Sequence, residues 1–159
     1  MIFVTVGTHE QSFDRLVKAV DKLESDEEVI IQTGYTSYNP VHCKWQKMFG
    51  AKEMNRLVYE ARIVITHGGP SSFMHALQMG KIPIVVPRWQ KFKEHVNDHQ
   101  VVFVQEMVKQ YNNIIPVLHI EDLQYTVQNY DRIIQEMRIA FVSNNDQFNK
   151  QLIETVLRL

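Results

Sequence analysis

Short apolar runs alternate with amphipathic helical patterns along most of the chain, and this alternation constrains the fold more than any other feature. The runs span residues 2–6, 29–32, 63–66 and 82–86, and a further strand is predicted around residues 114–118. Strands that are apolar at nearly every position are typical of a parallel sheet that helices cover on both faces. The pattern therefore predicts one α/β domain, residues 1–159, built around a buried parallel sheet.

The intervals between these runs have helical spacing. After the first strand, apolar residues recur three or four positions apart at Phe13, Leu16, Val17, Val20 and Leu23. Further helices are predicted over residues 54–61, 71–79, 96–111, 121–140 and 147–157, so the C-terminal part from about residue 121 is expected to be helical. Residues 35–50 are rich in turn formers and aromatic residues and are predicted to form an irregular loop.

Charge and cysteine content exclude several classes of protein. A formal net charge of −1 gives no electrostatic footprint for nucleic acid. Cys43 is the single cysteine, so a disulfide framework is impossible and a reducing cytosol is compatible with the sequence. The apolar run at the N-terminus is too short for a signal peptide or a membrane span, so a cytoplasmic location is expected.

Glycine and hydroxyl side chains gather where the predicted strands end. Ligands of open α/β sheets bind beyond the carboxyl ends of the strands, and backbone N–H groups at glycine turns and helix N-termini bind anions there. Three such loops begin at Gly7-Thr8-His9, at Thr33-Gly34 and at His67-Gly68-Gly69-Pro70-Ser71-Ser72. Such loops are suited to binding a phosphate or a diphosphate.

The loop from His67 to Ser72 is the strongest of these signals. Ser71 or Ser72 would cap the next helix and donate to a phosphate oxygen. The alternative is an ordinary strand-to-helix turn with a serine cap. Neither a GxGxxG motif after the first strand nor a GxxxxGK[ST] motif is present, which argues against a dinucleotide-binding enzyme and a P-loop NTPase.

Polar residues near the same rim have two interpretations. The segment from Glu94 to Gln100 either caps a helix through Asn97 or Asp98 or contacts the hydroxyl groups of a sugar. The cations that precede it either balance diphosphate charge or form a solvated basic loop, and they are Arg88, Lys91 and Lys93. Five of the seven histidines fall in or beside the predicted mouth: His9, His67, His75, His95 and His99. No HExxH motif or tight Cys/His cluster is present, so no metal site is expected.

An ordered set of motifs resembles a known family. It comprises Gly7-Thr8, Thr66-His67-Gly68-Gly69-Pro70-Ser71-Ser72, Gly80-Lys81-Ile82-Pro83, Val85-Val86-Pro87 and Asn97-Asp98-His99-Gln100. The set resembles the C-terminal half of the GT-B glycosyltransferases of family 28, which include the bacterial enzyme that makes lipid II. It is similar also to the catalytic subunit of the eukaryotic dolichol-linked GlcNAc transferase. The strongest similarity is to the small donor-binding subunits of two-component bacterial capsule and exopolysaccharide glycosyltransferases.

The resemblance implies a single Rossmann-like domain that binds a UDP-sugar without a metal or other cofactor. Uracil would lie near Phe49 and Met54, and the sugar near the segment from Glu94 to Gln100. The full predicted donor-binding set is Gly7, Thr8, His67, Gly68, Gly69, Ser71, Ser72, His75, Arg88, Glu94, His95, Asn97, Asp98 and Gln100. His75 departs from the family, because larger relatives have a ribose-binding glutamate at that position.

The resemblance also implies an inverting transferase that is active only with a partner. A membrane-anchored subunit resembling the missing N-terminal half would hold a polyprenyl-diphosphate-linked acceptor at the cytosolic face of the plasma membrane. Galactose is the expected sugar, in capsule or exopolysaccharide synthesis. His9 and His67 are the candidates for the general base, unless the base lies on the partner. The alternative is a non-catalytic UDP-sugar-binding or regulatory subunit of such a complex.

Overall fold

Six parallel strands form one sheet in the computed structural model, which describes residues 1–137. The strands are β1 (Ile2–Thr5), β2 (Val29–Gln32), β3 (Lys44–Gln46), β4 (Ile63–His67), β5 (Ile84–Val86) and β6 (Ile115–Pro116). The helices are α1 (Asp14–Asp21), α2 (Ala51–Glu60), α3 (Pro70–Gln78), α4 (His99–Tyr111), α5 (Leu123–Gln128) and α6 (Tyr130–Glu136). The predicted α/β fold with a parallel sheet is therefore confirmed.

Both faces of the sheet are covered at its centre, which is why the central strands are mostly apolar. In β1, Ile2 and Val4 pack in a cluster with Leu16 and Val17 of α1. The intervening Phe3 packs on the opposite face, against a cluster that includes Leu57 of α2. Successive side chains of a strand alternate between faces, so a strand between two helical layers needs apolar residues at every position.

The strand order β3-β2-β1-β4-β5-β6 places the first and fourth strands side by side at the centre of the sheet. From β1 the chain proceeds outward through β2 to β3, whereas from β4 it proceeds outward through β5 to β6 in the other direction. The connections after β1 and β4 therefore lead away in opposite directions, and we call the space outside these two strand ends the crevice. Such a topological switch point is the usual ligand site of an open α/β sheet.

Two parts of the chain differ from the sequence prediction. Residues 44–46, predicted as irregular loop, form the edge strand β3, whose three residues are all exposed and so lack an apolar run. The helix predicted over residues 121–140 is broken at Asn129, where α5 ends and α6 begins. The Asn129 side-chain amide donates to the Tyr125 carbonyl, and this kind of local bond competes with helical hydrogen bonding.

The start of α4 also differs from the prediction, since the helix begins at His99 rather than near Val96. The helix predicted over residues 147–157 lies outside the described residues. Among the helices of residues 1–137, none combines the length and apolar character needed to cross a bilayer.

Candidate functional site

The loops after β1 and β4 meet at the switch point, and the imidazole of His67 fills the space between their glycines. A Cβ atom added to Gly7 would lie 2.3 Å from His67 Nε2, and one added to Gly69 would lie 2.1 Å from His67 Cε1. Gly7 also has a φ of +77°, a left-handed conformation that suits glycine. The histidine ring therefore requires glycine on both sides, independently of any ligand.

Hydrogen bonds engage both ring nitrogens of His67. The backbone N–H of Gly69 donates to Nδ1 at a distance of 2.9 Å, so in the neutral ring the proton resides on Nε2. Nε2 lies 2.9 Å from Ser72 Oγ. Burial lowers the pKa of His67 to about 4, and the nearby Arg88 cation adds to the effect. The ring is therefore neutral at physiological pH and has no free lone pair with which to accept a proton.

Helix α3 begins directly at this turn. Its N-cap is Gly69 and Pro70 occupies the first turn, but no side chain caps it, so the predicted serine cap is wrong. Ser72 contacts His67 instead, whereas Ser71 is exposed. The first-turn N–H groups and the helix dipole still favour an anion at this end. Thr8, on the facing loop, is also exposed.

The loop also packs tightly against the start of α4. A Cβ atom added to Gly68 would lie 2.9 Å from the Gln100 Cβ and 3.1 Å from the Pro87 Cβ. Buried Gln100 accepts the backbone N–H of Arg88 through Oε1. The segments after β4 and β5 are thereby fixed to each other at the rim of the crevice.

Arg88 is fully buried and is the largest such side chain of the described residues. Its guanidinium lies 4.6 Å from the Phe13 ring centroid. It donates to backbone carbonyls of the β1–α1 loop and the segment after β5, namely those of Val6 (2.9 Å), Gln11 (2.8 Å), Ser12 (3.3 Å) and Glu94 (3.0 Å). These bonds assign Arg88 to the framework of the crevice, so its predicted contact with diphosphate stays a prediction without geometric support.

Glu94 is similarly committed to the framework. Arg15 of α1 donates to the Glu94 carboxylate through Nε and Nη2, each at a distance of 2.8 Å. The backbone N–H of Trp89 donates to the same carboxylate. The Glu94 side chain is 4% exposed, so the predicted contact of Glu94 with a sugar would have to compete with this buried bidentate pair. Arg15 has no signal in the sequence, because 79 positions separate it from Glu94.

Several other polar residues of the rim lie close together. The rings of His95 and His9 contact each other with centroids 4.8 Å apart and planes tilted by 41°, joining the segment before α4 to the loop after β1. Asn97 Oδ1 lies 3.1 Å from His95 Nδ1 and accepts the backbone N–H of His99. Asp98 is the N-cap residue of α4, but its side chain accepts the backbone N–H of Gln90 and makes no capping hydrogen bond.

The sequence matches the model of a known protein family. The model of the glycosyltransferase family 28 C-terminal domain matches residues 1–156. The chain belongs to this family. No curated protein is significantly similar in sequence.

Two solved glycosyltransferase structures share the fold. The glycotransferase of kitacinnamycin is 15% identical with a TM-score of 0.57, and the match covers 80% of this chain and 34% of that one. SnogD from Streptomyces nogalater is 16% identical with a TM-score of 0.50, and the match covers 86% of this chain and 39% of that one. This glycosyltransferase domain thus corresponds to little more than a third of either chain.

The residues predicted to contact uracil lie on the β2 side of β1. Phe49 packs edge-on against Phe3 with centroids 6.1 Å apart, and its backbone N–H donates to the buried Gln32 side chain. Met54 of α2 packs against the same apolar cluster. His75, where larger relatives have the ribose-binding glutamate, lies half-buried on α3. These contacts put Phe49 next to the carboxyl end of β2, and the roles of all three residues stay predictions.

A cavity of about 410 Å³ lies at the opposite, amino-terminal edge of the sheet of this glycosyltransferase domain. Its lining includes Leu77, Ile82, Asn113, Tyr130 and Ile134 and is mostly apolar. It contains none of the predicted site residues. Over residues 1–137, no group of three or more His, Cys, Asp or Glu side chains is arranged to hold a metal ion.

Proposed function

We propose that the chain is the donor-binding, catalytic half of an inverting glycosyltransferase that uses a UDP-sugar. The observation that carries this proposal is the topological switch point at the carboxyl ends of β1 and β4, where Thr8 and Ser71 are exposed and α3 begins. A diphosphate there would meet backbone N–H groups and the positive end of a helix dipole. Membership of the family supports the transferase chemistry.

The proposed reaction is a single displacement. An acceptor hydroxyl oxygen bonds to the anomeric carbon from the face opposite the diphosphate, the bond from that carbon to the diphosphate oxygen breaks, and UDP leaves with the electron pair. Preorganised N–H donors stabilise charge that develops on the leaving group without reorganising. We expect the reaction to need no metal, because the sequence has no DxD pair of carboxylates.

The acceptor and the second half of the active site belong to the same proposal. We infer a polyprenyl-diphosphate-linked acceptor and a membrane-anchored partner that supplies the N-terminal half of the GT-B fold. The partner would hold the chain at the cytosolic face of the plasma membrane. Galactose is the proposed sugar, in capsule or exopolysaccharide synthesis. The small share of the matched glycosyltransferases that this chain covers supports a missing half.

We propose that the partner docks through the C-terminal region. An apolar set at helical spacing occurs there in the sequence, outside the described residues, and comprises Phe148, Leu152, Ile153, Val156, Leu157 and Leu159. The alternative is that this set packs on the sheet of its own chain. Deletion of residues 147–159 separates the two: retained UDP binding with lost association supports docking. Unfolding, measured by circular dichroism, supports internal packing, and unchanged association places the interface elsewhere.

A non-catalytic UDP-sugar-binding or regulatory subunit remains the second candidate, and one assay separates it from the first. The purified chain is incubated with a panel of UDP-sugars and a lipid-linked acceptor, with and without the partner. Sugar transfer that occurs only when both subunits are present, preferentially from UDP-galactose, supports the proposal. Transfer that survives substitution of the crevice residues of this chain would place the catalytic centre on the partner.

A further inference from the structure

The loop between β5 and α4 presents aromatic and cationic side chains together at the surface. Lys91, Phe92 and Lys93 are consecutive and exposed, and Phe92 is 50% exposed. The Lys91 ammonium lies 4.1 Å from the ring centroid of Trp89 and 5.0 Å from that of Phe92. Val96, near the end of the same loop, is 65% exposed. Apolar surface and positive charge therefore face the same solvent.

Hydrogen bonds at the base of this loop fix its shape. The backbone N–H of Lys93 donates to the Gln90 carbonyl at a distance of 2.8 Å. The backbone N–H of Trp89 donates to the buried carboxylate of Glu94. At the far end, the Asp98 side chain accepts the backbone N–H of Gln90. The exposure of the aromatic tip is thus built into the fold of the loop.

The backbone at Lys93 has a conformation that lysine does not favour. Its φ is +58°, in the left-handed region that glycine adopts most readily. Among the non-glycine residues of the described range, Asn112 alone shares a positive φ, and asparagine is one of the side chains that tolerate it. A lysine thus occupies a position that glycine fits better, which favours a role for its side chain.

The two lysines of the loop carry charge that no ion pair neutralises. Within residues 1–137, no salt bridge includes Lys91 or Lys93. The carboxylate of Glu94 follows them directly, but its side chain is 4% exposed and pairs with Arg15. Asp98 is half-buried and accepts a backbone N–H of the loop. The exposed charge of the loop is therefore positive.

A recess of about 500 Å³ beside the loop adds a third cation. Phe92 and Lys93 line it on one side, and Lys18 of α1 lines it on the other. Lys18 is exposed and lies 3.7 Å from the carboxylate of Asp14, whose other oxygen accepts the backbone N–H of Ser37. Ammonium groups on both sides of such a recess attract a phosphate as point charges.

The composition of the loop favours a lipid surface over a protein as its contact. The buried cores of protein interfaces are enriched in aromatic residues but depleted in lysine. Peripheral membrane sites combine aromatic side chains, which enter the headgroup region, with lysines, which attract anionic lipids. Phe92 between Lys91 and Lys93 has the second composition.

We propose that the β5–α4 loop contacts the membrane directly, with Phe92 in the headgroup region and Lys91 and Lys93 against anionic lipid head groups. The inference rests on the proposed function, in which the acceptor is linked to a membrane lipid. The loop adjoins the crevice through His95, whose ring contacts that of His9. The contact thus brings the crevice to the surface that holds the acceptor. Stable attachment to a membrane takes two signals, and the partner supplies the second.

Vesicle flotation of the full chain tests the contact without donor or partner. Vesicles of phosphatidylcholine with about one quarter phosphatidylglycerol should bind the chain more tightly than phosphatidylcholine alone, and added NaCl should weaken the binding. Lys91→Gln should lower the partition coefficient about fivefold, the usual effect of one cation near an anionic surface. No binding of the wild-type chain, or equal binding of Lys91→Gln, would overturn the inference.

Lys93→Gly is the sharper variant, because it removes the charge and the unfavourable backbone conformation together. It should be at least as stable as wild type in urea denaturation and still bind anionic vesicles about fivefold more weakly. Asn112→Gly is the matched control, since it makes the same backbone change at the C-cap of α4, where φ is +47°, without removing a charge. Equal weakening by both variants would assign the effect to the backbone and contradict the inference.

Tryptophan fluorescence locates the contact. The chain has two tryptophans, and Trp45 lies on β3 at the far edge of the sheet, so Trp45→Phe leaves Trp89 beside the loop as the single reporter. Anionic vesicles with brominated lipid should quench Trp89, and Phe92→Ser should reduce that quenching. Trp45, observed in Trp89→Phe, should be unaffected. Quenching of Trp45 alone, or a Trp89 signal that responds only to the partner subunit, would overturn the inference.

The failure of this inference can be distinguished from failure of the proposed function. Sugar transfer by the reconstituted pair, with vesicle binding that ignores Lys91, Phe92 and Lys93, overturns the membrane contact alone. Vesicle binding that depends on these residues, with a pair that transfers no sugar from any UDP-sugar, supports the contact and counts against the proposed function.

Discussion

Gly69→Ala should destabilise the protein, although the backbone at this position is ordinary. The φ of Gly69 is −73°, so alanine suffers no conformational strain. Its Cβ, however, would lie 2.1 Å from His67 Cε1, and the ring is confined on its other side by Gly7. The imidazole must therefore move, and its bond from the Gly69 N–H is weakened.

The expected cost has two parts. Overpacking a close-packed site costs about 1–3 kcal/mol, and loss of one hydrogen bond about 0.5–1.5 kcal/mol, for a total of about 1.5–4.5 kcal/mol. Gly69→Val should lower the free energy of unfolding further than Gly69→Ala, so it would test folding rather than the approach of a ligand. Gly50→Ala is the matched control, since Gly50 is also a helix N-cap but no atom lies within 4 Å of the added Cβ, and it should cost no more than about 1 kcal/mol, the effect of alanine at an N-cap.

A double-mutant cycle in urea, followed by circular dichroism, isolates the cause. In the His67→Ala background the clashing ring is absent, so Gly69→Ala should cost only as much as Gly50→Ala, about 1 kcal/mol or less. The same cost in both backgrounds would refute the reasoning, because the glycine would then be required by something other than His67.

Three further predictions concern stability. Arg88→Lys should cost about 2–4 kcal/mol in urea denaturation, since an ammonium cannot satisfy the dispersed carbonyls, including that of Val6, that the buried guanidinium binds. The pKa of His67 is lowered from 6.5 to about 4, so the stability it contributes is complete above pH 6.5 and declines as the pH falls toward 4; His67→Ala should flatten that slope. Arg62 lowers the pKa of Glu27 from 4.5 to about 2, so Glu27 stabilises the fold above pH 4.5 and this contribution is lost as the pH falls toward 2, a loss that Glu27→Gln should abolish.

The central sheet was predictable because its signal is strong and local. Each inner strand is apolar on both faces, as at residues 2–5 and 63–66, and the helical spacing between them is clear. The edge strand β3 escaped prediction because exposed Lys44, Trp45 and Gln46 carry no such pattern. Its position depends on pairing with β2, which is a tertiary contact.

The edge of the sheet that carries the candidate site was also predictable, since glycine and hydroxyl residues mark the strand ends. The roles within it were less so. Arg88 and Glu94 have the charge of ligand-binding residues, yet the structure uses them to tie distant loops together. The contacts of His9 and His95 depend on which backbone N–H and side-chain oxygen lie next to each ring, and residue type alone does not contain that information.

Titration of the isolated ¹⁵N-labelled chain with UDP in the presence of EDTA tests the central claim most directly. If the crevice between the loops after β1 and β4 binds the donor diphosphate without a metal, the amide signals that shift should cluster in residues 7–11, 68–72 and 94–100. Shifts confined to the apolar cavity beside Ile82 and Tyr130, or binding that disappears on chelation, would contradict the account.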